Sequence, residues 1–157
     1  MRESCHGVGH VLVQVMRDGN EICRREGRNQ IVQNGFALLA NRLFTSTGPA
    51  RVRYMQLGHS GAAATTAQTQ VLTPLSSAAL AGRQTVVSVA MSGARTAKWQ
   101  YTWLTSKFSA TGVEEVGLFA ATSALTSVGT LFARFVFTPV NKTNSDTLKL
   151  TWTLRIS

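Results

Sequence analysis

The sequence is short of charge, and shortest of acid. Of its 157 residues, 15% are Asp, Glu, Lys or Arg, against about 25% in an average globular domain. The seven acids are Glu3, Asp18, Glu21, Glu26, Glu114, Glu115 and Asp146. None falls between Gly27 and Val113, where Arg28, Arg42, Arg51, Arg53, Arg83, Arg95, Lys98 and Lys107 stand. Paired-carboxylate chemistry would therefore rest on Glu114 and Glu115 alone. Adjacent residues of a strand point to opposite faces, so these two are not expected to serve one substrate as acid and base. Histidine is scarcer still, at His6, His10 and His59. No Ser–His–acid triad or Gly-x-Ser-x-Gly elbow can be assembled from them. Gly58-His59-Ser60-Gly61 lacks the Gly-Lys-Ser/Thr that a phosphate loop needs. The expectation is a protein that is not an enzyme and takes no cofactor.

Two cysteines, Cys5 and Cys23, cannot make a disulfide framework. Cys23, alternating with Ile22 in a strand, reads as a buried free thiol. Cys5, His6, His10 and Cys23 together offer four zinc-ligand types, but at a spacing that matches no standard site. No metal is therefore expected. No apolar run approaches the roughly 20 residues of a membrane-spanning helix, and residues 1–6 lack the apolar stretch of a signal peptide. Neither membrane insertion nor secretion is expected.

What fills the gap left by charge is Ala, Ser and Thr. A surface of small neutral residues is readily desolvated when a partner docks. A chain of this length should bury about two thirds of the surface it would expose unfolded, which suits one domain over 1–157. The net charge of +9 calls for an acidic partner, either nucleic acid or an acidic protein surface. Arg51, Arg53, Arg83, Arg95 and Lys98 are the candidate contact residues.

Residues 11–17 are rich in β-branched side chains, Asp18-Gly19-Asn20 is a hairpin turn, and 21–26 return. The segment from Asn29 to Phe44 reads as the one helix (about 30–44), with Asn29 as its N-cap. Val32, Phe36, Leu39 and Leu43 recur there at helical spacing. Gly35 is a weak spot in a helix, of use where another backbone must come close. Residues 51–59 read as a strand. The charge-free stretch 60–82 is too long for a passive connection and is expected to be an extended surface arm or binding loop, while 1–9 read as a flexible tail. Strands follow at 85–91, 95–108, 113–120, 129–140 and 147–156. The stripe Trp99, Tyr101 and Trp103 reads as core in preference to a base-stacking platform. Residues 129–140 are apolar on both faces, as a strand covered twice would be. In 147–156, Leu148, Leu150, Trp152, Leu154 and Ile156 alternate with Lys149, Thr151, Thr153 and Arg155. Short strands at this spacing predict a mainly β, jelly-roll-like antiparallel sandwich with an N-terminal hairpin and one helix.

Three segments carry a family likeness when taken in order. The first is the hairpin running into Asn29-Gln-Ile-Val-Gln-Asn-Gly-Phe-Ala-Leu-Leu-Ala. The second is Arg53-Tyr-Met-Gln-Leu-Gly-His-Ser-Gly, followed by the Ala/Thr-rich stretch and Leu72. The third is Glu115-Val-Gly-Leu-Phe-Ala-Ala, then Leu131-Phe-Ala-Arg-Phe-Val-Phe, then Asp146-Thr-Leu-Lys-Leu-Thr-Trp-Thr-Leu. In this order the chain resembles tailed-bacteriophage accessory virion structural proteins. The resemblance implies capsid decoration or cement, or a neck, tail or baseplate part, with no catalytic residues to carry over. It implies other virion proteins as partners, a homo-oligomer, assembly in the host bacterial cytoplasm and residence in the virion. The family's usual Gly-Thr-Gly turn stands here as Gly58-His59-Ser60-Gly61, and the net charge is unusually high. Glu115 and Arg134, each alone in an apolar strand, are expected to pair between neighbouring strands or across a subunit contact. The competing functions are a single-stranded nucleic-acid-binding β domain, possible but not favoured, and a carbohydrate-binding, host-recognition module needing exposed aromatics.

Overall fold

The computed structural model describes residues 7–44, 51–75, 83–86, 88–91, 95–122, 124 and 129–156. Among these the chain forms nine strands and one helix: β1 (Gly7–Arg17), β2 (Asn20–Ile31), α1 (Gln33–Phe44), β3 (Val52–Gly58), β4 (Gln84–Thr85), β5 (Ser88–Met91), β6 (Thr96–Trp103), β7 (Ala110–Ala120), β8 (Thr130–Lys142) and β9 (Asp146–Ile156). The protein is mainly β, and every strand pair is antiparallel.

The N-terminal hairpin forms because Asp18 and Gly19 both take positive φ, at 51° and 82°. That is the two-residue turn whose twist matches paired strands, and it favours Asp-Gly. Residue Gly7 already lies in β1, so residues 7–9 belong to the sheet and not to a flexible tail. Residues 1–6 lie outside the described part, as do Cys5 and His6.

The strand order is β4-β3-β7-β8-β2-β1-β9-β6-β5. Two places in it bend the sheet into a sandwich. β2 pairs with β1 from Asn20 to Asn29, but with β8 only through Gln30 and Ile31. β4 and β5, two residues apart in sequence, sit at opposite ends of the order. The stretch 85–91, expected to be one strand, is thus divided between β4 and β5, which pair at opposite ends of the order. Strands that switch sheets make the corners of such a sandwich. The far edges meet where Trp99 Nε1 of β6 donates to Val52 O of β3 at 2.8 Å.

The core lies between the two layers. Val11, Val13 and Val15 of β1, Trp99 and Trp103 of β6, and Leu148, Leu150, Trp152 and Leu154 of β9 face Met55, Leu57, Val116, Leu118, Phe135 and Phe137. The alternation in β9 is the one its sequence announces. β7 and β8 are buried on both faces over much of their length, so something must cover their outer side.

Part of that cover is α1, which differs from expectation. Asn29 belongs to β2, so it is no N-cap. The helix starts at Gln33, whose amide is taken by Thr66 O at 2.8 Å. Phe36, placed on the inner face by spacing, is 46% exposed; Leu38 and Leu39 pack on the core instead. Gly35 sits against β8: a Cβ there would lie 2.1 Å from Phe132 O. Cys23 is half-buried with a free thiol.

Candidate functional site

The rest of the cover is residues 60–75, and a buried ion pair holds it. Glu115 of β7 and Arg134 of β8 sit on neighbouring strands, Glu115 opposite Val136 and Arg134 opposite Gly117. Arg134 Nε meets Glu115 Oε2 at 2.7 Å, and both side chains are fully buried. A buried pair is favourable only if its other donors and acceptors are also matched. They are matched by residues 60–75, through backbone atoms and the Gln68 side chain. Glu115 Oε1 accepts from Ser60 N and Thr73 N at 3.2 and 2.8 Å, and Oε2 from Leu72 N at 3.1 Å. Arg134 donates to Ser60 O, Ala62 O and Gln68 Oε1 at 3.2, 2.9 and 3.2 Å. One carboxylate thus ties the two ends of the segment, and one guanidinium holds its first turn.

The surroundings complete the fastening. A Cβ on Gly58 would lie 2.4 Å from Glu115 Oε1 and 2.5 Å from Thr73 O, so only glycine lets the segment close there. His59 N donates to Thr73 O and Leu75 N to Leu57 O. Val71 is buried with Val32, Tyr54, Phe119, Ala121 and Leu131 in a small second core on the outer face. The segment 60–82 was expected to be an extended surface arm or binding loop, and residues 60–75 do lie largely at the surface. Those residues are a fixed lid on the sheet, because their polar backbone has found buried partners; 76–82 lie outside the described residues. Glu114 and Glu115 both come near the Ser60-Gly61 turn: Glu115 Oε1 accepts from Ser60 N, and a Cβ on Gly61 would lie 2.6 Å from Glu114 Oε2.

The candidate contact residues divide. Glu115 and Arg134 face each other in the interior, not a partner. Arg83 is also buried, its guanidinium 3.6 Å from the centroid of the Phe119 ring; desolvation lowers its proton affinity. Arg51 and Arg53 are exposed beside Ala121 and Thr122. Arg95 is exposed, and Lys98 is half-buried on β6. The Trp99–Val52 bond joins β6 to β3. Trp99 and Trp103 are buried and Tyr101 half-buried, with Tyr101 OH donating to Gln84 Oε1 at 2.8 Å. The aromatic stripe is core.

Beside the lid, at the end of the sandwich carrying the 104–109 and 143–145 turns, lies an open cleft of about 700 Å³. His59, Thr73, Pro74 and Leu75 form one wall; Ser109, Ala110, Thr111 and residues 141–143 form the other. His59 Nδ1 lies 2.9 Å from Gly112 O, and Asn141 Oδ1 accepts from Gly112 N at 2.9 Å. The turn below is organised by Asp146, which accepts from Arg17 Nε, Thr143 N and Thr143 Oγ1 at 2.8, 2.8 and 2.7 Å. The Arg17 bond is the main reason this carboxyl is held below the usual carboxylate range. Sequence reasoning missed the cleft, since it joins three segments far apart in the chain.

Among the described residues, no group of three or more His, Cys, Asp and Glu is placed to hold a metal ion, and no helix is long and apolar enough to cross a membrane. No family model, curated protein or solved structure matches the chain.

Proposed function

We propose that this chain is a non-catalytic structural component of a bacteriophage virion that packs, in several copies, against other particle proteins. The observation that carries the packing role is the lid. Residues 60–75 contain no charged side chain, and most of them are exposed. A segment of that composition would ordinarily be mobile and would lose entropy on docking. Here Glu115 and Arg134 have already fixed it. Preorganisation removes much of the ordering term from association, and small uncharged residues give up little hydration. Many copies of such a modest interface add up through multivalency. Arg51, Arg53 and Arg95, exposed, and Lys98, half-buried, suit an acidic neighbour. What supports the virion setting is the ordered resemblance of the three segments.

Burial of the tryptophans weighs against nucleic-acid stacking and against a carbohydrate platform, both of which need exposed rings. The proposal is tested by mass spectrometry of gradient-purified phage particles whose genome encodes this chain. Recovery at a fixed, multi-copy ratio to the major capsid protein is expected. Absence from the particles, with the chain found only in the soluble lysate, would refute it.

A further inference from the structure

The cleft holds a buried cation that forms no ion pair with any acid among the described residues. Lys142 lines it and is 1% exposed. Its Nζ donates to Phe108 O at 3.0 Å and Thr143 O at 3.2 Å, and lies 4.7 Å from the centroid of the Phe108 ring. An ammonium has three donors, and those two carbonyls take two. The nearest acid on the same turn, Asp146, is bonded to Arg17 and Thr143. It acts on Lys142 only through longer-range attraction, which opposes the desolvation that lowers the lysine's proton affinity. None of the ten lining residues is acidic. The remaining lining is hydroxyl, amide and imidazole with the apolar Pro74, Leu75 and Ala110. His59 and Asn141 are both tied to Gly112, so the two walls keep a fixed separation.

We propose that this cleft is a carboxylate-binding site, in which the third donor of Lys142 takes a carboxylate oxygen and the apolar wall takes the group that carries it. A buried ammonium short of a counter-ion gains from an incoming anion, because charge-assisted hydrogen bonds strengthen where water is excluded. The cleft volume falls within the roughly 300–1,000 Å³ usual for ligand sites and far exceeds one carboxylate. The occupant is therefore a carboxylate on a larger body, either an acidic side chain of a polypeptide or a free organic acid. The site rests on this geometry alone and stands or falls separately from the virion proposal.

The test is an amide-shift titration of the full, isotope-labelled chain with four probes: acetyl-Leu-Glu-Leu-amide, its Gln counterpart, sodium acetate, and sodium chloride at matched ionic strength. The Glu peptide is expected to shift the amides of Ala110, Thr111, Asn141, Lys142 and Thr143 saturably. The Gln peptide should bind at least ~tenfold more weakly, as loss of a hydrogen bond to a charged group implies. Acetate as effective as the peptide would assign the site to free organic acids; acetate much weaker would assign it to polypeptide side chains. Lys142→Gln, checked for native tryptophan emission, should weaken the Glu peptide by a similar factor. The wild-type Glu-against-Gln comparison decides the matter even if that variant does not fold. The proposal is overturned if the two peptides bind equally, if chloride gives the same shifts, if these amides show no saturable response, or if a folded Lys142→Gln protein binds as wild type.

Discussion

Replacing Glu115 by Ala asks the most of this structure. The carboxylate serves Arg134 and three backbone amides at once, all in the covered space between β7, β8 and the lid. Removing one member of a buried ion pair typically destabilises by about 3–5 kcal/mol, since the other charge is left without compensation. Each amide stranded in the interior would add roughly 1–3 kcal/mol. The sum is not reached, because the lid can lift and let water reach those groups. About 3–5 kcal/mol is therefore the expected loss in urea unfolding, a large share of the roughly 5–15 kcal/mol that domains have. At roughly 2–4 °C per kcal/mol for this size, melting should fall by about 6–20 °C. Arg134→Ala should do comparable damage, and the double variant should be far from additive, with a coupling of about 2 kcal/mol or more. Hydrogen exchange supplies a local readout: the amides of Ser60, Leu72 and Thr73 should lose protection in Glu115→Ala, while those of β1 and β9 keep theirs. Additive single effects below about 1 kcal/mol, with exchange at Leu72 and Thr73 unchanged, would refute the clamp.

Three further outcomes follow from other parts of the molecule. Gly35→Ala improves helix propensity by about 1 kcal/mol, yet it should lower stability by roughly 1–3 kcal/mol, because the new methyl meets Phe132 O; a rise in melting temperature would contradict the close approach of α1 to β8. Asp146 has a folded pKa below its ordinary 3.8, so its contribution is complete above that value and is lost as pH falls through the acid range; Asp146→Asn should flatten the decline of stability below about pH 4, and an unchanged acid limb would disprove the role of Arg17. Trp99, Trp103 and Trp152 are all buried, so native emission should be blue-shifted and unquenched by single-stranded oligonucleotides at low salt; saturable quenching would revive the nucleic-acid reading.

The fold was largely legible, and the reasons it was are local. Asp18-Gly19 dictates its turn through backbone sterics, and β9 shows its inward face by strict alternation. The double burial of β8 is written in its run of apolar residues. What could not be seen is long-range. Nothing near residue 84 says that two residues later the chain must change sheets, since that break serves closure against β3 and β6. Phe36 has the right spacing for the core, but α1 is rotated by the demand that Gly35 meet Phe132 O. Asn29 has the chemistry of an N-cap, but pairing with β1 claimed it first. The lid looked like an arm because its composition carries no apolar stripe; its anchor is two charges, Glu115 and Arg134, far downstream of the segment they hold. The cleft gave no local signal, for Lys142 in sequence looks like a strand-end lysine facing water.

The account turns on the chain being a built-in part of a particle. The most direct measurement is electron microscopy of purified phage carrying a bulky tag fused to the C-terminus of this chain. Extra density at symmetry-related positions on every particle is predicted. Particles indistinguishable from untagged ones, with the tagged chain remaining in the soluble fraction, would contradict it.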